Sequence, residues 1–276
     1  MPLCLHFTAD SRLPIDFTRV GPEQTRRQSL AEIERTKIFC GNRQLPLAEL
    51  FSVSGGPADG EIHLAGDLAS VHGIGARMTE GSIRVEGNAG RHLGAEMRGG
   101  RIEVSGNAGD WLGTEMHSGQ IRVRGNAADH AAAAYPGSPR GMTGGELLID
   151  GDAGAHLGNA MRRGLVAVGG SAGDGVGARM IAGTILVGGR CGRRVGAGMR
   201  RGTIALMAQA GETPAPQSLL PTFVGANRWN PQFMRLLLVH LHRGGFPGAE
   251  TWIESAYDIF HGDQINLGKG EILLRA

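Results

Sequence analysis

From residue 60 onward the chain repeats itself every 19 residues, and that fixed period restricts its fold more than any other property of the sequence. The unit is Gly-x-aliphatic-x-aliphatic-x-Gly. It opens at Gly60, Gly81, Gly100, Gly119, Gly145, Gly164 and Gly183, with a half unit at Gly202. Five of the seven steps are 19 residues, the first is 21, and the fourth, from Gly119 to Gly145, is 26. In a regular unit Ile83 and Val85 alternate with Arg84 and Glu86, the period-two pattern of a half-buried strand. Gly87-Asn88-Ala89-Gly90 has the composition of a turn. A second short extended piece ending in Leu-Gly and a third centred on a methionine complete the unit.

Three short strands separated by glycine corners cannot bury an apolar face alone, but stacked units can. The predicted fold is therefore all-β, a right-handed parallel β-helix of about seven coils. At a sheet spacing of ~4.8 Å the coils make a rod of roughly 35 Å. A left-handed hexapeptide helix does not suit a period that is no multiple of six. A calcium-binding nonapeptide helix does not suit a chain whose only such match is GGSAGD, Gly169 to Asp174. Open ends of such a rod need covers, so residues 1–59 are read as an N-terminal α/β cap, 60–208 as the repeats and 209–276 as a C-terminal helix-plus-strand cap. In the first cap LCLHFTA and LFSVSG read as strands and SLAEIERTKI as a short helix with Ser29 at its N-cap. In the last, a Pro-rich exit over residues 211–221 precedes the helix QFMRLLLVHLHR, with Asn230 at the N-cap and Pro231 in the first turn, and a final strand near GKGEILLRA.

Composition agrees with many tight turns around an aliphatic core: 47 of 276 residues are Gly, 41% are hydrophobic, and there are only two Tyr, three Trp and eight Phe. A net charge of +2 and so few aromatics argue against nucleic-acid and membrane-surface binding. No run of about 18 apolar residues and no signal-peptide pattern occurs, so a cytoplasmic location is expected. Cys4, Cys40 and Cys191 are far apart and form no CxxC pair, which points to reduced thiols rather than disulfides or an iron–sulfur site.

Equal unit lengths stack equivalent residues into ladders. A polar ladder of Asp67, Asn88, Asn107, Asn126, Asp152, Ser171 and Arg190 is read as structural, capping turns and neighbouring coils. Met78, Met97, Met116, Met142, Met161, Met180 and Met199 are read as inward core filling rather than a soft-metal site. His92, Trp111, His130 and His156 form a third ladder, read as stacking, since His130 and His156 lack a third ligand for zinc. Flanking the methionines, Arg77, Arg98, His117, Arg162, Arg179 and Arg200 recur with Glu96 and Glu115, a mildly basic stripe that is either a solvated face or a partner-docking surface. His240, His242 and His261 have no ligand-like company. The chain contains no Walker, GxSxG, HExxH or strand–GxGxxG–helix motif, so no catalytic or metal site is assigned to it.

The glycine repeats, the lead-in LPLAELFSVSGG, the long coil ending YPGSPRGMTGG and the close GDQINLGKGEILL resemble the C subunits of formylmethanofuran dehydrogenase and of the bacterial formyltransferase/hydrolase complex. The repeat alone is also similar to the β-helical domain of the glutamate synthase large subunit. The resemblance implies a noncatalytic β-helical subunit of a one-carbon complex, in which a formyl group passes between tetrahydromethanopterin and a methylofuran or methanofuran carrier and is released as formate. It implies a zinc amidohydrolase-like subunit, a formyltransferase subunit and a truncated dehydrogenase-like subunit as partners. Zinc and carrier, or a molybdopterin or tungstopterin in the archaeal enzyme, would then belong to those partners. The Ala- and Arg-rich composition favours the bacterial version.

The 26-residue unit carries seven extra residues between Asn126 and Met142, after which the period resumes. They are expected to leave the stack as a loop that offers Tyr135, Pro136 and Arg140 to a partner.

Overall fold

The computed structural model describes residues 1–9, 13–208 and 219–276. The N-terminal segment forms β1 (Leu3–Phe7), β2 (Ile15–Asp16), the short helices α1 (Pro22–Thr25) and α2 (Leu30–Glu34), β3 (Lys37–Cys40), β4 (Arg43–Pro46) and β5 (Phe51–Gly55). The repeats supply β6 (Glu61–Ala65), β7 (Val71–His72), β8 (Ser82–Glu86), β9 (Arg101–Val104), β10 (Gln120–Val123), β11 (Glu146–Ile149), β12 (Leu165–Val168), β13 (Thr184–Val187) and β14 (Arg201–Leu206). Then follow β15 (Val224–Trp229), α3 (Gln232–Arg243), α4 (Ala249–Trp252), β16 (Tyr257–Gly262) and β17 (Lys269–Arg275). Of the Pro-rich exit, residues 211–218 lie outside the described residues.

One strand per repeat enters a single thirteen-stranded sheet, ordered β15-β16-β17-β14-β13-β12-β11-β10-β9-β8-β6-β1-β5. From β1 to β17 the pairing is parallel, and from β6 to β14 it advances by one repeat per strand. Aliphatic therefore stacks on aliphatic: Ile62, Ile83, Ile102, Ile121, Leu147, Val166, Ile185 and Ile204 are successive partners, all buried. A full column of this kind recovers about 25 cal/mol for each Å² of apolar surface that an isolated unit would leave in water. At both ends the direction reverses, through β5 antiparallel to β1 and β16 antiparallel to β17, and β15 turns back again against β16. A separate small sheet, β4-β3-β2-β7, ties the N-terminal segment to the first repeat.

Of the three strands that the sequence predicts in each repeat only the first forms throughout; the first repeat alone adds a two-residue strand, β7. The stretch read as a turn instead carries a single parallel bridge per repeat, running Leu68, Ala89, Ala108, Ala127, Ala153, Ala172, Cys191. The second piece, ending in Leu93-Gly94, is a turn that leads into the methionine, closed by the bond from Met97 N–H to the Gly94 carbonyl at 3.2 Å. Its backbone cannot be extended, because Gly94 and Glu96 have φ of 62° and 56°. A Cβ at Gly94 would lie 2.3 Å from Ile121 Cδ1, so the glycine is required by space as well as by angle. The methionine that follows each of these turns is buried, Met78 at 2% exposure and the other six at 0%.

The alternation of aliphatic and charged residues also fails in the later repeats. On β8, Arg84 and Glu86 are exposed, but on β10–β14 the outward residues Arg122, Leu148, Ala167, Leu186 and Ala205 are buried. The four aliphatic ones form a second core with Met234, Leu238 and Leu241 of α3 and Trp252 of α4. The C-terminal helices thus lie along the flank of the sheet, while β15–β17 extend its end. Helix α3 begins at Gln232, and its N-cap is Pro231 rather than Asn230, with no side-chain cap bond. In α2, Ser29 does cap, in a reciprocal box with Glu32.

Arg122 ties the sheet to the end of α3. It is 4% exposed, pairs with Asp150 at 3.1 Å, and donates to the carbonyls of Gly244 and Gly245 just past that helix. Loose helix-end carbonyls and a buried guanidinium satisfy one another. Met116→Asp, which buries an unpaired charge, is expected to lower stability by on the order of 4 kcal/mol in thermal unfolding. Arg122→Ala should cost about 3 kcal/mol and raise amide exchange in α3 ahead of the strands, because it strands Asp150 and the helix-end carbonyls.

Candidate functional site

The long repeat departs from its neighbours only after Ala134. Ala131 to Ala134 are buried within the stack, and Ala132, at φ 57°, occupies the left-handed position that glycine holds elsewhere. The Ala132 N–H reaches the Leu112 carbonyl at 2.8 Å, and Met142 N–H returns to the Ala132 carbonyl at 3.0 Å. Tyr135 to Arg140 are extruded between them, and buried Gly141 donates to the Ala160 carbonyl at 2.9 Å. Pro136 and Arg140 are exposed, whereas Tyr135 is half-buried because its ring folds back over earlier repeats.

Its hydroxyl is hydrogen-bonded to His92 Nδ1 at 2.8 Å, and its ring lies 5.3 Å from Trp111. Trp111 in turn stacks on His130 at 4.1 Å and 8°, and His130 on His156 at 5.1 Å and 5°. His92, Trp111, His130 and His156 all have φ between 60° and 64°, so the side chains leave the backbone in the same direction. Parallel rings hold their in-plane lone pairs in parallel planes and do not converge on one ion. Among the described residues no group of three or more His, Cys, Asp or Glu is arranged to hold a metal.

Burial sets the ionisation here. It pushes the Tyr135 phenol up to about 12, helped by Glu96 and Glu115. It holds His72, His92 and His130 below the usual imidazole range, with Arg91 adding to the effect on His72 and His92, and His156 on His130. Tyr135, His92, Arg77 and Glu96 also line a groove of about 860 Å³ whose other wall is the N-terminal segment, from Pro14 to Arg19 with Gln24 and Phe39.

The polar ladder runs through backbone amides. Asn107 N–H donates to Asn88 Oδ1 at 2.9 Å, and Asn126, Asp152, Ser171 and Arg190 continue the same pattern at 2.8, 2.8, 2.6 and 3.1 Å. A second ladder runs three residues further on: Asp110, Asp129 and Asp174 accept from Asp129, Ala155 and Arg193 N–H. The recurrence of aspartate at a constant offset from the first ladder could have revealed it.

The basic residues beside the methionines fall in two rows. Before the methionine, Arg77 pairs with Glu96 at 3.1 Å and Arg179 donates to Asn159 at 3.2 Å. After it come Arg98, His117, Arg162 and Arg200, all exposed; among the described residues the three arginines have no side-chain partner, and His117 bonds Thr143. Far from these, His240 bonds Glu146 at 2.7 Å, fastening α3 to the sheet, and burial pushes the Cys191 thiol up to about 12, which leaves it unreactive near neutrality.

Because His72, His92 and His130 titrate lower when folded than unfolded, their contribution to stability is present above pH 6.5 and is lost as pH falls below it. The thermal midpoint should therefore fall between about pH 7.5 and 5, and a His72→Gln, His92→Gln, His130→Gln variant should show a shallower fall.

The GXGXG motif family model matches residues 62–230. The C subunit of tungsten-containing formylmethanofuran dehydrogenase 2 from Methanothermobacter marburgensis is 37% identical over 85 residues, 29% of this chain and 32% of that one. The C subunit of molybdenum-containing formylmethanofuran dehydrogenase 1 from Methanothermobacter thermautotrophicus is 40% identical over 86 residues, 31% and 22% of the two chains. The matched part thus spans about a third or less of these curated relatives. A chain in the crystal structure of the formyltransferase/hydrolase complex (FhcABCD) from Methylorubrum extorquens, in complex with methylofuran, superposes with a TM-score of 0.89 at 35% identity over 99% of both chains. The chain belongs to the GXGXG family, in the group that unites the C subunit of formylmethanofuran dehydrogenase with its counterpart in the formyltransferase/hydrolase complex.

Proposed function

We propose that this chain is the noncatalytic β-helical subunit of a formyltransferase/hydrolase complex, which moves a formyl group from tetrahydromethanopterin to a methylofuran-type carrier and releases it as formate. The observation that carries the reading is the end-to-end likeness to a chain of the methylofuran-bound complex at 35% identity. The shorter matches favour one alternative, the C subunit of a molybdenum or tungsten formylmethanofuran dehydrogenase. In either assembly zinc, pterin-bound metal and carrier would belong to the partner subunits. The partners are a zinc amidohydrolase-like subunit, a formyltransferase subunit and a truncated dehydrogenase-like subunit.

In this reading residues 60–208 wind as a right-handed parallel β-helix, with residues 1–59 and 209–276 as its covers. The parallel strand ladder and the parallel bridge line support that course. The extruded loop is a partner contact: Tyr135 anchors it on the aromatic stack, and Pro136 and Arg140 face outward. Arg77, Arg98, Arg162, Arg179 and Arg200 contribute to the same role. Co-expression with the candidate partners tests the proposal: a stable complex with formyl-transfer activity is expected, and a solitary monodisperse chain with its own turnover overturns it. Pro136→Gly with Arg140→Glu should weaken assembly by roughly tenfold while the unfolding midpoint stays within a few degrees.

A further inference from the structure

The net charge of +2 conceals a segregation along the chain. Residues 155–208, the second half of the repeat that opens at Gly145 and all that follows it in the stack, hold eight arginines and one acid, Asp174, a net +7, so the remainder carries −5. The arginines occur as adjacent pairs at 162–163, 193–194 and 200–201, with Arg179 and Arg190, and all are exposed. Among the described residues only Arg179 has a side-chain partner, the neutral Asn159. Asp174 is already engaged by the Arg193 backbone N–H at 2.7 Å. In the early repeats Arg98 likewise has no side-chain partner among the described residues, but Arg77, Arg91 and Arg124 each meet a carboxylate, on Glu96, Asp110, and Glu103 with Asp150.

Stacking concentrates the unneutralised charge. Arg162 and Arg200 occupy the same position two repeats apart, hence on the order of 10 Å from one another, with Arg163 and Arg201 beside them. That is about one Debye length at 0.1 M salt, so the guanidinium groups repel in the free chain. The cost is reversed only where carboxylates cover them, and the guanidinium fork suits bidentate carboxylate pairing. Single-stranded nucleic acid is disfavoured, because no Phe, Tyr or Trp lies within residues 155–208 to stack a base.

We propose that the last repeats form a docking face for an acidic surface of a partner protein, centred on Arg162, Arg163, Arg200 and Arg201. This rests on the subunit reading given above. The test uses the co-expressed complex, comparing wild type with a variant carrying Arg162→Glu, Arg163→Glu, Arg200→Glu and Arg201→Glu, and with the four corresponding glutamine substitutions. Assembly affinity is measured from about 50 to 300 mM salt. Wild-type assembly should weaken with salt, the glutamate variant should lose roughly 100-fold or more in affinity at about 50 mM, and the glutamine variant should show a flatter salt dependence. The isolated glutamine variant should unfold no lower than wild type, since repulsion is relieved. Wild-type affinity and salt dependence in the glutamate variant would overturn this inference alone, as would arginine-dependent binding of a DNA duplex of roughly 30 base pairs with assembly unchanged. Failure of the wild-type chain to join any partner would overturn the subunit reading as well.

Discussion

Parallel pairing at a constant advance of one repeat per strand is the constraint from which the other features follow. Because the advance is 19 residues at most steps, a residue at a given position in one repeat meets its own equivalent in the next. Inward positions then make unbroken columns of aliphatic and methionine side chains, and the turn positions make columns of asparagine and aspartate. A polar side chain in such a column accepts a hydrogen bond from the next repeat's backbone, which satisfies an amide that no strand reaches. The first and fourth steps break the period, and both add residues outside the strand, where the register is not disturbed.

Much of this was legible in the residues. The period, the aliphatic alternation in β8 and the recurrent methionines required only that equal repeats stack. Less visible was the difference between an extended segment and a turn, since Leu-Gly-x-x-Met reads as either until the positive φ of its second and fourth residues is known. The apolar outward residues Leu148, Ala167 and Leu186 were in plain sight as uninterrupted aliphatic runs in β11–β13. Their cover, α3, is more than 40 residues away in sequence, and only three dimensions bring it there.

The aromatic and imidazole stack was legible as a ladder and not as a contact. The period aligns His92, Trp111, His130 and His156, but it says nothing of Tyr135, which belongs to the extra residues and returns to the second repeat through a bond spanning 43 positions. A loop excluded from the register is free to contact any repeat, so its destination depends on side-chain chemistry. Here a half-buried phenol meets an imidazole, and the same contact closes one end of the groove beside the N-terminal segment.

The antiparallel strands at the two ends have a consequence for how many copies of the chain can join. A stack of near-identical parallel strands offers at its end a surface that matches its own beginning, the geometry by which fibrils recruit further molecules. In this chain the edge strand at one end, β5, runs against the ladder, and at the other end β16 runs against it before β15, whose register with β16 shifts between Gly225 and Arg228, forms the edge. The ladder therefore terminates within one polypeptide, and its length is an encoded number of repeats rather than the outcome of concentration.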